Sequence, residues 1–272
     1  MNRRDCLRIA AAGWVGTLGA RAVFARPPSA EGRVMTPLGP ISPGQLGRTL
    51  PHEHVRVDFV GADTVSRDRY DADEAYAVAI PCLRKTKSVG CQALAECTPA
   101  YLGQDPQLLS RLATATGLHI LTNTGYHGAA KDRYVPRHAC EESADQLASR
   151  WVKQWTNGIE GTGIRPGFVK TGVDVGRFRR STENTDDETV PVCVERVAAL
   201  KQRGCLSRLL VSHDAGRNRF GEPGGGACRG VETVYTAFVP SLRKAGWSED
   251  QVRQLPDANP AAAFTVRGQT RV

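Results

Sequence analysis

The sequence predicts an α/β chain built as a (β/α) barrel. Three observations predict it: strand and helix patterns alternate along the chain, the strand segments are apolar on both faces, and polar residues with metal-binding or catalytic chemistry fall at strand ends. Strands buried on both faces belong to a parallel sheet covered by helices, and a closed barrel of this kind carries its active groups at the C-terminal ends of its strands. At 272 residues and 40% hydrophobic, the chain can bury a real core.

The elements follow in chain order. Arg3-Arg4-Asp5-Cys6-Leu7-Arg8 precedes an Ala- and Gly-rich apolar run that ends in the small-x-small pattern Val23-Phe24-Ala25. This reads as a twin-arginine export signal over residues 1–25, since the run is interrupted by Arg21 and is too short to span a bilayer. The expected location is the periplasm or another destination of twin-arginine export, with no stable membrane association once the signal is removed. Its removal takes four arginines and one acid from a formal charge of +8, leaving +5. No Lys/Arg cluster is interleaved with aromatics, so nucleic acid is not an expected partner.

Residues 26–33 form a Pro-containing spacer, and the barrel domain spans 34–268. Residues 34–41 read as a hairpin-like lead-in with turn residues at Pro37 to Pro40. The first barrel strand carries His52 and His54. Residues 73–89 have a helical pattern that Pro81 should kink or shorten. A buried strand at 92–97 is followed by a helix opened by Asp105 as N-cap and Pro106 at the first helical position, and closed by Gly117. The third strand occupies 118–126, with His127 just after it. An amphipathic helix at 141–155 leads to a fourth strand, 167–170, ending in Lys170. A helix at 190–203 precedes a last apolar strand, 207–216, ending in Asp214.

Residues i and i+2 of a strand share a face, so His52 and His54 can present two imidazoles together while Glu53 points away. Two neutral imidazoles converging on one point suit a divalent metal. Separately, each group has a bland alternative: ordinary strand histidines, a snorkelling lysine, a carboxylate capping a turn. Together, two imidazoles, a strand-end lysine and a strand-end carboxylate point to a metal centre. Seven cysteines follow the signal (Cys82, Cys91, Cys97, Cys140, Cys193, Cys205, Cys228) without a Cys-x-x-Cys pair. They read mostly as buried small hydrophobes, with room for one or two disulfides.

The chain resembles the phosphotriesterase family of metal-dependent hydrolases, which includes phosphotriesterase-like lactonases and relatives of parathion hydrolase. The resemblance rests on Leu46-Gly47-Arg48-Thr49-Leu50-Pro51-His52-Glu53-His54, Leu102-Gly103-Gln104-Asp105-Pro106, Thr124-Gly125-Tyr126, Gly161-Thr162-Gly163-Ile164-Arg165-Pro166-Gly167-Phe168-Val169-Lys170, Leu210-Val211-Ser212-His213-Asp214-Ala215-Gly216 and Asn259-Pro260-Ala261-Ala262-Ala263-Phe264. It implies a (β/α)8 TIM-type barrel whose mouth holds two divalent metals, usually zinc, bridged by a hydroxide and by an N6-carboxylated lysine. By position, His52, His54 and Asp214 would bind the more buried metal, and Lys170 would be the carboxylated bridge. The implied reaction is attack of metal-activated hydroxide on a phosphotriester, lactone or other small ester, with Asp214 relaying the proton.

The chain also departs from the family. The resemblance calls for two further histidines on a fifth and a sixth strand, yet Lys170 and Asp214 are only 44 residues apart and His213 alone lies between them. Four strand-helix units of about 30 residues each would need roughly 120 residues. The expectation is therefore a barrel of about six of its eight units, shortened near residues 171–176, with one metal rather than two. His213 adjoins Asp214 and should face the other way, which leaves His127 as a substitute ligand or substrate contact beside Tyr126, Arg177 and Phe178. Open sheet edges would favour a homodimer. The competing expectation is an impaired or inactive remnant that binds at most one metal ion.

Overall fold

The computed structural model describes residues 32–128, 130–173, 186–214 and 231–267. The expected export signal, most of the spacer, Arg177, Phe178, Cys228 and the shortened segment beyond Val173 lie outside these residues. The chain opens with an antiparallel hairpin, β1 (Val34–Thr36) and β2 (Gly39–Ile41), and the short helix α1 (Pro43–Leu46). Then come β3 (Thr49–Glu53), α2 (Ala72–Ser88), β4 (Ala93–Glu96), α3 (Pro106–Thr116), β5 (His119–Leu121) and β6 (Asn123–Gly128). They are followed by α4 (His138–Glu141), α5 (Ala144–Asn157), β7 (Phe168–Val173), α6 (Asp186–Gln202), α7 (Val239–Lys244), α8 (Glu249–Arg253) and α9 (Asn259–Phe264). No helix among the described residues is long and apolar enough to cross a membrane.

Strands β3, β4 and β5 pair in parallel in chain order, and β6 pairs in parallel with β7. Only Thr122 separates β5 from β6, so these strands are the first four staves of the expected barrel. Their residues alternate between two cores. Ala93, Ala95, Cys97 and Leu121 face an inner cluster closed below by Val34, Leu46 and Phe264. Leu50, Leu94 and Ile120 face an outer cluster with Ala79 and Leu83 of α2 and Leu108 and Leu112 of α3. Both faces are buried, which is why apolar residues fall on both faces of these segments.

The caps of α3 are as expected: the Asp105 side chain accepts from the N–H of Gln107 (2.9 Å) and Leu108 (3.0 Å), and Gly117 closes the helix at φ +64°. Other boundaries differ from the sequence reading. Helix α2 runs straight through Pro81 to Ser88, because Pro81 lies on the solvent face, where water can serve the carbonyl it deprives of a partner. The 141–155 segment divides into α4 and α5, because Ser143 and Gln146 form a capping box that restarts the helix. Strand β7 continues three residues past Lys170, and His127 lies inside β6, paired with Gly172. The expected last strand is not a strand: a 3-10 turn at Leu206–Arg208 leads into irregular chain at 209–214. Among the cysteines, Cys91 and Cys97 are buried as expected, Cys82 is in a disulfide, and Cys140 is exposed.

Gly125 carries a close approach in the sheet. Its φ is +113°, and a Cβ there would lie 2.1 Å from the carbonyl oxygen of Lys170. Gly125→Ala should therefore force β6 and β7 apart and destabilise the fold by about 3 kcal/mol or more, readable as a lower denaturant midpoint at unchanged slope.

Candidate metal centre

A β-bulge aims the two histidines. In β3, Leu50 pairs with Leu94 and Glu53 with Glu96, so three residue steps on one strand match two on the other. Leu50 and Leu94 face the outer cluster. Without the extra residue His52 would share that outer face. With it, Glu53 and Glu96 face outward and His52 and His54 turn to the barrel interior.

The interior histidines meet Asp214. His54 Nε2 lies 3.5 Å from Asp214 Oδ1 and His52 Nε2 lies 3.6 Å from the same oxygen. One donor atom from each residue falls within 4.8 Å of the others. Metal-to-ligand bonds of about 2.0–2.2 Å at a tetrahedral centre put neighbouring ligand atoms about 3.4 Å apart, so the spacing fits one cation. Lys170 projects from the same interior face of β7, its Nζ 3.4 Å from His52 Nε2.

Protonation does not provide the missing positive charge at His54. Burial, assisted by His52, lowers its pKa to about 3. Its outer nitrogen is fixed by a buried network: Thr98 Oγ1 lies 2.9 Å from His54 Nδ1 and 2.9 Å from the Arg56 carbonyl, and it also meets the Glu96 carboxyl. Burial pushes the Glu96 carboxyl up to about 8. A neutral Glu96 can donate to Thr98, Thr98 can donate to the Arg56 carbonyl, and His54 Nδ1–H can donate to Thr98. Every hydrogen is then used, and the lone pair of His54 Nε2 is left facing Asp214.

Glu53, the residue between the two histidines, seats the third member of the group, Asp214. Its Oε1 accepts from Ser212 Oγ (2.7 Å), from the N–H of His213 (2.8 Å) and from the N–H of Asp214 (3.3 Å), while the His52 N–H donates to Ser212 Oγ (3.0 Å). Segment 209–214 thus joins β3 through side chains where a strand ladder was expected. Asp214 sits at φ +52°, a left-handed conformation that aspartate tolerates when its surroundings enforce it.

The structure brings together four of the sequence-derived site residues: His52, His54, Asp214 and Lys170. His127 shares the interior face of β6 with Gly125, the register partner of Lys170. Gly172 makes space for the His127 ring, since a Cβ there would lie 2.2 Å from Nδ1. Tyr126 does not join them. It points out through the barrel wall, where its hydroxyl lies 2.8 Å from His138 Nε2. All six histidines of the chain are described, and none of the other four joins His52 and His54 in the metal-spaced group.

An α/β protein whose parallel strands and following loop bring together a His-His-Asp cluster that could hold a metal ion belongs among the parallel-stranded barrel-type folds. The chain is a member of the Phosphotriesterase family, whose sequence profile matches residues 32–186. It is similar to a phosphotriesterase homology protein of Escherichia coli, 22% identical over 293 residues, covering 80% of this chain and 98% of that one. It is also similar to the aryldialkylphosphatase of Saccharolobus solfataricus, 27% identical over 51% of this chain and 43% of that one, and to the N-acetyltaurine hydrolase of Rattus norvegicus, 28% identical over 65% and 56%. The organophosphorus hydrolase of Deinococcus radiodurans superposes with a TM-score of 0.69 at 22% identity, covering 89% of this chain and 100% of that one, a likeness of fold.

Proposed function

We propose that this chain is a metal-dependent hydrolase of small phosphotriesters, lactones or other esters, working with one divalent ion, zinc in the first instance, held by His52, His54 and Asp214. The observation that carries this reading is the convergence of the three donor atoms, with His54 kept neutral and its free lone pair turned inward. Bound there, such an ion supplies Lewis-acid polarisation of a carbonyl or phosphoryl oxygen and lowers the pKa of water. The chain's own residues do the rest. His52, 39% exposed in its side chain, marks the open side from which substrate enters. The Asp214 carboxylate is placed to take the proton released as water attacks. Lys170 is the position for a carboxylated fourth donor, and His127 faces the same interior as a substrate contact or substitute ligand. Arg177, assigned to the substrate by position, lies outside the described residues. The aryldialkylphosphatase relative acts on a phosphoryl centre, which supports the phosphotriester part of this reading, and the N-acetyltaurine hydrolase relative acts on an acyl group, there in an amide.

The reading includes a barrel short of its fifth and sixth units. The alignment to the Escherichia coli relative runs 293 positions yet uses 80% of this chain, about 218 of 272 residues, so about 75 positions of the relative have no counterpart here. Two strand-helix units need about 60 residues. Val152 of α5 and Val169 of β7 are 61% and 56% exposed, and no residue of amphipathic α5 is buried. A further unit beyond β7 would cover such a face. A homodimer is the alternative cover, and export through Arg3 and Arg4 remains part of the reading. A second reading, an impaired remnant that binds at most one metal, draws on the irregular 209–214 segment and on the lack of a second histidine pair at the site.

Zinc-loaded full-length chain should hydrolyse an aryl ester, a lactone or an aryl dialkyl phosphate above blank, lose that activity to a chelator and recover it with zinc. A soluble, zinc-bound chain that turns over none of the three would support the remnant. Chelation should also lower the melting temperature by about 5–10 °C, since an ion at 100 times its Kd stabilises by about 2.7 kcal/mol.

A further inference from the structure

Behind the barrel wall lies a cavity of about 310 Å³ that the metal centre does not use. It is lined by Arg56, Arg67 and Arg150, by the rings of Tyr101, Tyr126 and His138, and by Glu160. Strand pleating separates it from the metal group: Gly125 and Lys170 face the interior, and Tyr126 faces out.

Three guanidinium groups face this space against one carboxylate. The acids that steady the arginines lie behind it: Arg56 Nη2 is 3.7 Å from the fully buried Asp58, and Arg150 grips Glu142 through Nε and Nη2. Arg67 Nη2 is 2.6 Å from Glu160 Oε2, a pair at an exposed rim and so weakly held in water, and 3.9 Å from Oδ1 of the buried Asp105. The planar guanidiniums of Arg67 and Arg150 each carry five N–H donors, more than these pairings use, in a fork that matches a carboxylate. Gly103, at φ +100°, lets Arg56 lie close, since a Cβ there would be 2.7 Å from its Nη1.

The remaining wall is aromatic. Tyr101, Tyr126 and His138 meet with centroids 5.6–6.0 Å apart, and Trp151 stacks edge-on behind Tyr126 at 5.8 Å. Two lining residues, Tyr101 (φ +67°) and Glu160 (φ +53°), hold left-handed backbone that their surroundings must enforce. We propose that this cavity is a second small-molecule site, distinct from the metal centre, that takes a small aromatic carboxylate, with its ring against the tyrosines and its anion on the arginine forks.

Benzoate is the probe, benzamide its neutral isostere, and Trp151 fluorescence and calorimetry on the full-length chain the readouts. Benzoate should bind saturably, with a midpoint on the order of 1 mM or tighter, and benzamide at least tenfold more weakly. The midpoint should be the same with and without chelator. Arg67→Gln and, separately, Arg150→Gln should each weaken binding at least threefold while the melting temperature holds. Absence of saturable binding, equal binding of benzamide, or binding that both variants leave intact would overturn the proposal. Loss of benzoate binding on chelation would assign the ligand to the metal centre and overturn it equally, whereas binding by a chain that holds no metal would sink only the hydrolase reading.

Discussion

Replacing His54 by alanine should abolish stoichiometric metal binding and lower any zinc-dependent hydrolysis by about three orders of magnitude. His54 supplies an inward nitrogen 3.5 Å from Asp214 Oδ1, and its Nδ1 partner Thr98 holds the ring in that orientation. Loss of a residue that merely orients a metal ligand reduces affinity about 10–100-fold, and loss of the ligand itself should exceed that. A deficit of about 4 kcal/mol in transition-state stabilisation corresponds to the thousandfold rate loss. Thr98→Val, which keeps the ligand and removes its orienting hydroxyl, should fall between the variant and the natural chain. Equal zinc retention by the natural chain and His54→Ala, measured by competition with a chromogenic chelator, would contradict the assignment.

Glu53→Ala should be the second severe change, although Glu53 touches no substrate. One carboxylate oxygen takes hydrogen bonds from Ser212, His213 and Asp214, and Glu53 is 3% exposed. Removing it strands two backbone N–H groups and lets go of the segment carrying a metal ligand. Breaking a buried charged network typically destabilises by 3–5 kcal/mol, a drop of about 6–20 °C in melting temperature for a domain of this size. Glu53→Gln is the discriminating partner. Its amide oxygen can still accept, so it should keep most of the stability and weaken metal binding about tenfold through a looser Asp214. An alanine variant as stable as the natural chain would show that segment 209–214 is held by something else.

The parts of this fold legible in the sequence are those set by local physics. The Asp105–Pro106 opening of α3 and its Gly117 close follow from capping chemistry, and the largely apolar segments 93–97 and 118–122 follow from burial on both faces. The His52-x-His54 spacing was enough to pair the imidazoles on one face. It could not tell which face, because that is decided by the bulge between Leu50 and Glu53, a register event that depends on the neighbouring strand. The roles of Glu53, Glu96 and Thr98 were out of reach for the same reason. Their distant partners lie 159–161, 41 and 42–44 residues away, with no local pattern to announce them. A glutamate between two histidines was the one signal available for Glu53. Which face of its strand Tyr126, named as a substrate contact, would take was likewise not legible. Its parity relative to Lys170, visible only once β6 and β7 are in register, turns it outward.

The most direct test of the account is the metal-to-protein ratio of the purified full-length chain, measured by elemental mass spectrometry after zinc loading and dialysis, with Asp214→Ala alongside. The account predicts a ratio near one for the natural chain and near zero for the variant. A ratio near zero for a folded natural chain would contradict it outright, and an unchanged ratio in the variant would show that the ion is held elsewhere.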